Sequence, residues 1–190
     1  MVDVAKVRLF GQNLGTFVCD DSYRVARFEY DNDFVGKGIE PSPIMMPVQQ
    51  GRIYSFGSLN WDTFNGLPGM LADSLPDTYG RALFDQWLIL TGRTTSNPVE
   101  SLCFLGQRCM GALEFEPATG PSSDANMKFE IDSLIDVARE ALSKKKDFGV
   151  NLDVDRKSAI AEILRLGTSA GGQRAKAIIA YNKESGEDRS

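Results

Sequence analysis

The chain has no histidine at any of its 190 positions. That removes Ser-His-Asp and Cys-His catalysis, His-ligated zinc and imidazole general bases at once. Cysteine is nearly as scarce: Cys19, Cys103 and Cys109 are odd in number and show no CxxC spacing. Three scattered thiols read as small buried hydrophobes rather than a disulfide frame or a metal site. No apolar run approaches the roughly 20 residues that a membrane-crossing helix needs. The opening segment, MVDVAKVRLFGQ, lacks the apolar stretch of a signal peptide and turns polar by Gly11. A cytoplasmic location with no membrane partner is the expectation. Positive charge is also short, with 21 Lys+Arg against 26 Asp+Glu and a net charge of −5. Nucleic-acid binding over the whole surface is therefore disfavoured. Any chemistry must use carboxylates, Lys/Arg, hydroxyls, backbone amides or a hard metal ion.

What remains is the composition of a folded domain, 42% hydrophobic and 25% charged. The first part is rich in strand patterns. Val4 to Phe10 alternates, Gly11-Gln12-Asn13 supplies turn chemistry, and Leu14–Cys19 and Val25–Tyr30 follow as strands. Asp31-Asn32-Asp33 stops the third run, and Glu40-Pro41-Ser42-Pro43 is a loop leading to an expected edge strand at Ile44–Pro47. The period then changes. Leu83, Phe84, Trp87, Leu88 and Leu90 fall at helical spacing between a start signal at Pro76-Asp77 and a stop at Gly92. A second helix runs from Pro98 to about Leu105, with Asn97 as its cap and Gly106 as its end. Gly111–Phe115 closes the unit as a strand. The expected fold class is α+β: a small, twisted, barrel-like β subdomain with two helices over residues 1–117.

Pro117 to Asp124 reads as a linker, and the expected boundaries place it at residues 118–127. From 128 to 190 the pattern is helical at first. An amphipathic helix carries Ile131, Leu134, Ile135 and Leu142, and Asp155 can cap another that carries Ile160, Ile163 and Leu164. The three lysines 144–146 suit either a solvated helix end or a phosphate-binding patch. A strand at Ala175–Tyr181 follows, then turn residues from Asn182. That strand is expected to lack a return partner, as if the chain stopped within a larger domain.

Two segments suggest chemistry. In Gly167–Lys176, GTSAGGQRAK, glycines and small hydroxyl residues would let backbone amides approach phosphate oxygens. It matches neither a Walker A loop nor a GxGxxG fingerprint, and a plain glycine-rich turn is the other reading. Asp73 and Asp77 could act as paired carboxylates, or Asp77 could cap the following helix after Pro76 breaks the chain direction. Phe64, Leu67, Leu71, Trp87 and Phe104 are expected core residues.

Four stretches carry a family resemblance: FEYDNDFVGKG (28–38), FNGLPGMLADSLPDTYGRALFDQWL (64–88), NPVESLCFLGQRCMGALEFEP (97–117) and LRLGTSAGGQRAKAIIAYNKESGE (164–187). In order and spacing they resemble the N-terminal part of HipA-family toxins, the serine/threonine kinases of type II toxin–antitoxin modules. The resemblance implies that 1–117 is the small N-terminal subdomain, which packs on the kinase and can contribute to antitoxin contacts. It implies that 128–190 begins a kinase-like N-lobe. Thr168, Ser169, Ala170, Gly171, Gly172, Gln173 and Lys176 would then form a phosphate-proximal loop, with Ser169 as the autophosphorylation site. The family's ATP-anchoring lysine, catalytic aspartate and metal-binding aspartate lie beyond the position matching Ser190. By that resemblance the chain alone is catalytically incomplete, holds no catalytic or metal-ligating residue, and binds neither ATP nor magnesium tightly. In the full-length parent, Mg-ATP would be the cofactor and a protein the substrate in growth arrest and persistence. A helix-turn-helix antitoxin would be the partner, with operator DNA reached only through it. A stand-alone binding module that docks on a separate kinase core or antitoxin is the alternative.

Overall fold

A computed structural model describes residues 2–20, 25–93, 95–120, 180–182 and 187–189. The chain divides into two units. The first holds Met1–Leu75 with Ser96–Thr119, and the second holds Pro76–Thr95 with Gly120–Ser190.

The first unit is a five-stranded antiparallel sheet with short helices. Its strands are β1 (Val4–Leu9), β2 (Gln12–Asp20), β3 (Val25–Tyr30), β4 (Ile53–Tyr54) and β5 (Leu113–Glu116), in spatial order β4-β3-β2-β1-β5. The α+β class holds, and the described strands of this unit form a single sheet that does not close on itself. The sheet is open, with β4 and β5 at its two edges. Those edges are short or covered: β4 has two residues, and the Phe115 amide of β5 donates to Gly106 O at 3.1 Å. Short and capped edges limit pairing with other chains.

Alternation sets the faces. Ala5 and Val7 on β1, Phe17 and Cys19 on β2, and Ala26, Phe28 and Tyr30 on β3 are buried, while Lys6, Thr16, Arg27 and Glu29 between them are exposed. One register change interrupts this. Val7 faces Gly15 but Arg8 faces Asn13, so Leu14 is an extra residue in β2 and both Leu14 and Gly15 turn inward. Gly15 is required there: a Cβ would lie 2.7 Å from Phe28 Cζ and closer still to the Glu29 carbonyl oxygen. The aromatic residues of the buried face meet mostly edge-on. Phe28 and Tyr30 rings lie 4.9 Å apart at 89°, and Phe17 and Phe115 lie 6.0 Å apart at 77°.

The turn between β1 and β2 is Phe10-Gly11 alone, because Leu9 already pairs with Gln12. The expected turn residues Gln12 and Asn13 belong to β2. Both turn residues have positive φ, 49° at Phe10 and 74° at Gly11, the pattern of a type I′ turn. A left-handed backbone at a residue with a Cβ costs about 1–2 kcal/mol.

The predicted edge strand at Ile44–Pro47 is instead part of a loop, and β4 lies further along at Ile53–Tyr54. Pro43 and Pro47 remove backbone donors that a ladder would need. The loop is fastened by tyrosines: Tyr30 Oη donates to Met46 O at 2.7 Å, and Tyr54 Oη donates to Pro47 O. Glu40 Oε2 accepts from Val48 N at 2.8 Å, and the Met46 side chain is buried.

Two short helices, α1 (Trp61–Phe64) and α2 (Gly69–Ala72), precede the second unit. The other helix of the first unit, α4 (Pro98–Leu105), has the predicted limits. Asn97 Oδ1 accepts from Glu100 N at 2.9 Å, Pro98 occupies the first turn, and Gly106 ends the helix at φ 57°. Val99 to Leu105 are all buried, and the helix packs on β1, β2 and β5.

In the second unit, α3 (Thr78–Leu90) starts at Asp77, whose Oδ1 accepts from Gly80 N at 2.8 Å. Leu83, Phe84 and Leu88 are buried. β6 (Ala180–Asn182) pairs with β7 (Glu187–Arg189), so the expected unpartnered strand has its return partner. The helices expected around 131–142 and after Asp155 lie outside the described residues. None of the described helices is long and apolar enough to cross a membrane.

Candidate functional site

The glycine-rich loop residues Thr168, Ser169, Ala170, Gly171, Gly172, Gln173 and Lys176 lie outside the described residues. Of the other chemical candidates, Asp77 is the helix cap already described. Asp73 ends α2, where its backbone amide donates to Gly69 O at 3.0 Å. Each aspartate thus has a local structural role. Among the described residues no group of three or more His, Cys, Asp or Glu side chains is placed to hold a metal ion.

The thiols follow the expectation of buried small hydrophobes, with a distinction among them. Cys19 and Cys103 are buried and Cys109 is partly exposed, and none of the three is in a disulfide. Burial, with the Glu100 carboxylate adding to it, pushes the Cys103 thiol from 9.0 up to about 12. Such a thiol is inert as a nucleophile at neutral pH. Burial likewise raises the Tyr30 phenol from 10.0 to about 12, with Tyr54 and Glu40 contributing. Of the expected core residues, Leu67, Leu71 and Phe104 are fully buried and Phe64 and Trp87 half-buried.

The polar cluster at the start of α4 is also structural. Glu100 is only 2% exposed, and its Oε1 accepts from Val2 N at 3.1 Å. Asn97 Nδ2 donates to Val2 O at 3.1 Å and to Asp3 Oδ1 at 2.8 Å. The group ties the N-terminal residues to the helix.

What the first unit presents to solvent is surface for contact. The outer sheet face runs Ile53, Glu29, Thr16, Lys6 and Glu116 across all five strands, with Lys6 between the two acidic positions. Arg8 Nη1 pairs with Glu116 Oε1 at 3.0 Å on the same face, an exposed pair worth little by itself. The two most exposed large apolar side chains lie at other places. The fastened loop points Ile44 and Met45 outward, 89% and 60% exposed. The β1–β2 turn points Phe10 outward at 79%, and Met110 is 50% exposed. Phe10 is absent from the sequence-derived candidates. The signal was the bulky residue before Gly11 between two strand patterns, where a two-residue hairpin turn favours Asn or Asp.

No curated protein matches this chain. Residues 5–116 match the family model described as HipA N-terminal domain. The match begins in β1 and ends with β5, so it spans the whole five-stranded sheet.

Proposed function

Because the match covers more than half of its residues, the chain belongs to the HipA N-terminal domain family, and from that membership we propose that it is the N-terminal part of a HipA-like serine/threonine kinase toxin. In this reading the full-length parent phosphorylates a protein using Mg-ATP and is neutralised by a helix-turn-helix antitoxin. The observation that carries it is the family match over residues 5–116, followed in order by the segment 164–187 with its family-like spacing.

The first unit serves binding in this reading. Its helix-cap groups and two of its thiols are held within the fold, and its two most exposed large apolar residues, Ile44 and Phe10, sit on a fastened loop and a tight turn. The chemistry belongs to the parent's kinase body, where Thr168–Lys176 would form one wall of the nucleotide site. Phosphoryl transfer relies on positioning and on cations that offset developing charge, so one wall gives no turnover. Phosphate on Ser169 would add about −1.5 to −2 charges and repel the ATP phosphates from that loop. That is a physical route to self-inactivation.

The test is the full-length gene product incubated with Mg-ATP and read by phosphopeptide mapping. Phosphate on Ser169, lost in Ser169→Ala, is the expected result. A full-length product without phosphoryl transfer overturns the kinase reading. The intact mass in the native cells adds a second check. A product near 20.9 kDa would favour the binding module acting on a separate kinase core, and a mass of roughly twice that favours the parent kinase.

A further inference from the structure

The turn that ends α1 uses a dipeptide with a chemistry of its own. Asn65 takes the left-handed conformation, φ 50° and ψ 34°, and Gly66 follows at φ 75°. Asparagine and glycine enter this region at least cost. They also form the pair in which a side-chain amide is most readily lost, because glycine has no side chain to shield its backbone nitrogen from the neighbouring Cγ. Asn65-Gly66 is the chain's single Asn-Gly pair, whereas Asn60 and Asn97 precede Trp61 and Pro98.

The native turn holds the two reacting atoms apart. Ring closure needs the Gly66 nitrogen on the same side of the Asn65 Cα–C bond as Cβ, and at ψ 34° it lies nearly opposite. Rotation about that bond is resisted on both sides. The Asn65 amide donates to Trp61 O at 2.8 Å and the Leu67 amide to Phe64 O at 2.9 Å, while Gly66 O accepts from Ala26 N of β3 at 2.8 Å. Gly66 and Leu67 are buried. The helix that carries the turn is capped by Asn60, whose Oδ1 accepts from Thr63 N at 3.1 Å.

We propose that Asn65 is a deamidation site gated by this turn, inert while the turn is closed and irreversibly modified once it opens. In the open turn the Gly66 nitrogen bonds to Asn65 Cγ. The side-chain nitrogen leaves as ammonia, carrying the proton that Gly66 gives up. Water then opens the five-membered imide. Cleavage at Cγ leaves aspartate, and cleavage at the main-chain carbonyl leaves isoaspartate, with one more carbon in the main chain. Both products add a negative charge. Aspartate still tolerates the left-handed turn. Isoaspartate displaces Gly66 O from Ala26 N and so removes the link between the turn and β3. A chain that has opened there is thereby marked and loosened.

The test is peptide mapping of the 190-residue chain after parallel incubations in mildly alkaline buffer, native and in urea. Trypsin releases residues 53–81, whose side-chain amides are Asn60 and Asn65 alone, so Asn60 is the internal control. Asn60→Ala, which removes the cap of α1, and Asn97→Ala, which loosens the fold at α4, are incubated in native buffer. Conversion of Asn65 to aspartate and isoaspartate is expected at least about tenfold faster in urea than in the native chain, with Asn60 unchanged. In native buffer Asn60→Ala should convert Asn65 at least about threefold faster than the parent, and Asn97→Ala within about twofold of it. Refolded chains that carry isoaspartate should melt below refolded chains that kept Asn65. No conversion in urea overturns the site. Equal rates in the native and unfolded chain overturn the gate, as does an unaltered rate in Asn60→Ala. Equal acceleration by Asn97→Ala places the opening in global unfolding and overturns the local gate too. Isoaspartate chains that melt with the parent overturn the loosening.

Discussion

Asn97 Nδ2 donates to Asp3 Oδ1 at 2.8 Å, so the residue that caps α4 also fastens the chain's N-terminal segment. The two are 94 positions apart. One amide serves both because its oxygen faces the Glu100 amide while its nitrogen reaches Asp3 and the Val2 carbonyl. Asn97→Ala therefore loses a cap worth about 1 kcal/mol and also leaves nearby polar atoms without their donor, a total of about 2–3 kcal/mol. Asn97→Asp keeps the cap oxygen but sets a carboxylate against Asp3. Urea unfolding should find both variants destabilised; a loss no larger than the cap alone would remove the fastening role.

Gly15 tests the bulge in β2. A methyl group there meets the Glu29 carbonyl and the Phe28 ring at once, and the ring is itself fully buried. Gly15→Ala should destabilise by about 1–3 kcal/mol, despite the better intrinsic propensity of alanine. An unchanged denaturation midpoint would mean that the strand can shift at this point.

The fastening of the 39–52 loop depends on a phenol. Tyr30→Phe leaves the buried Met46 carbonyl without its donor, a cost of about 1–2 kcal/mol, with little change in packing. Cleavage near Ile44-Met45 under limited proteolysis should speed up before global stability falls far. If cleavage is unaltered, Tyr54 and Glu40 hold the loop unaided.

Alkaline pH should unfold the protein through Cys103, Cys109 and Tyr30. Each holds its proton more tightly folded than unfolded, so each contribution is complete below the unfolded value and fades as pH rises towards about 12. For Cys103 and Cys109 the window opens at 9.0, and for Tyr30 at 10.0. Chemical denaturation at pH 8 to 11, conditions bracketing both onsets by roughly one unit, should show stability falling with pH. Cys103→Ala should flatten the start of that fall.

Thiol labelling separates the cysteines. In the native protein a small alkylating agent should reach partly exposed Cys109 before buried Cys19 and Cys103, and only slowly, since burial raises the Cys109 thiol to about 12 as it does that of Cys103. Full labelling of Cys103 without denaturant would contradict its burial on the inner side of α4.

Local signals were the legible ones. Asn97-Pro98 and Gly106 delimit α4, and Asp77 starts α3, because a cap is a bond between residues three apart. The alternation in Val4–Leu9 and Val25–Tyr30 marks strands because a solvated face and a buried face leave a period of two. The family resemblance of 28–38, 64–88 and 97–117 was readable in the same way, and the match over 5–116 agrees with it. Less local features were not. Ile44–Pro47 looks like a strand by composition, yet hydroxyls from β3 and β4 claim its carbonyls. The bulge at Leu14 has a trace in Gly15, but a glycine in a strand does not say which neighbour turns inward. The turn at Phe10-Gly11 was hidden because Gln12 and Asn13 are the more usual turn formers.

By itself the sequence determined where α3 and α4 start and stop, that three N-terminal segments are strands, and that imidazole chemistry is absent. Only the tertiary structure decided that β5 closes beside β1, that the sheet stays open, and that Phe10 stands exposed at its end. The reason is separation along the chain. Caps and alternation act over a few residues, whereas Val2 meets Glu100 across 98 positions and Arg8 meets Glu116 across 108. Contacts at that range depend on every element folded between them.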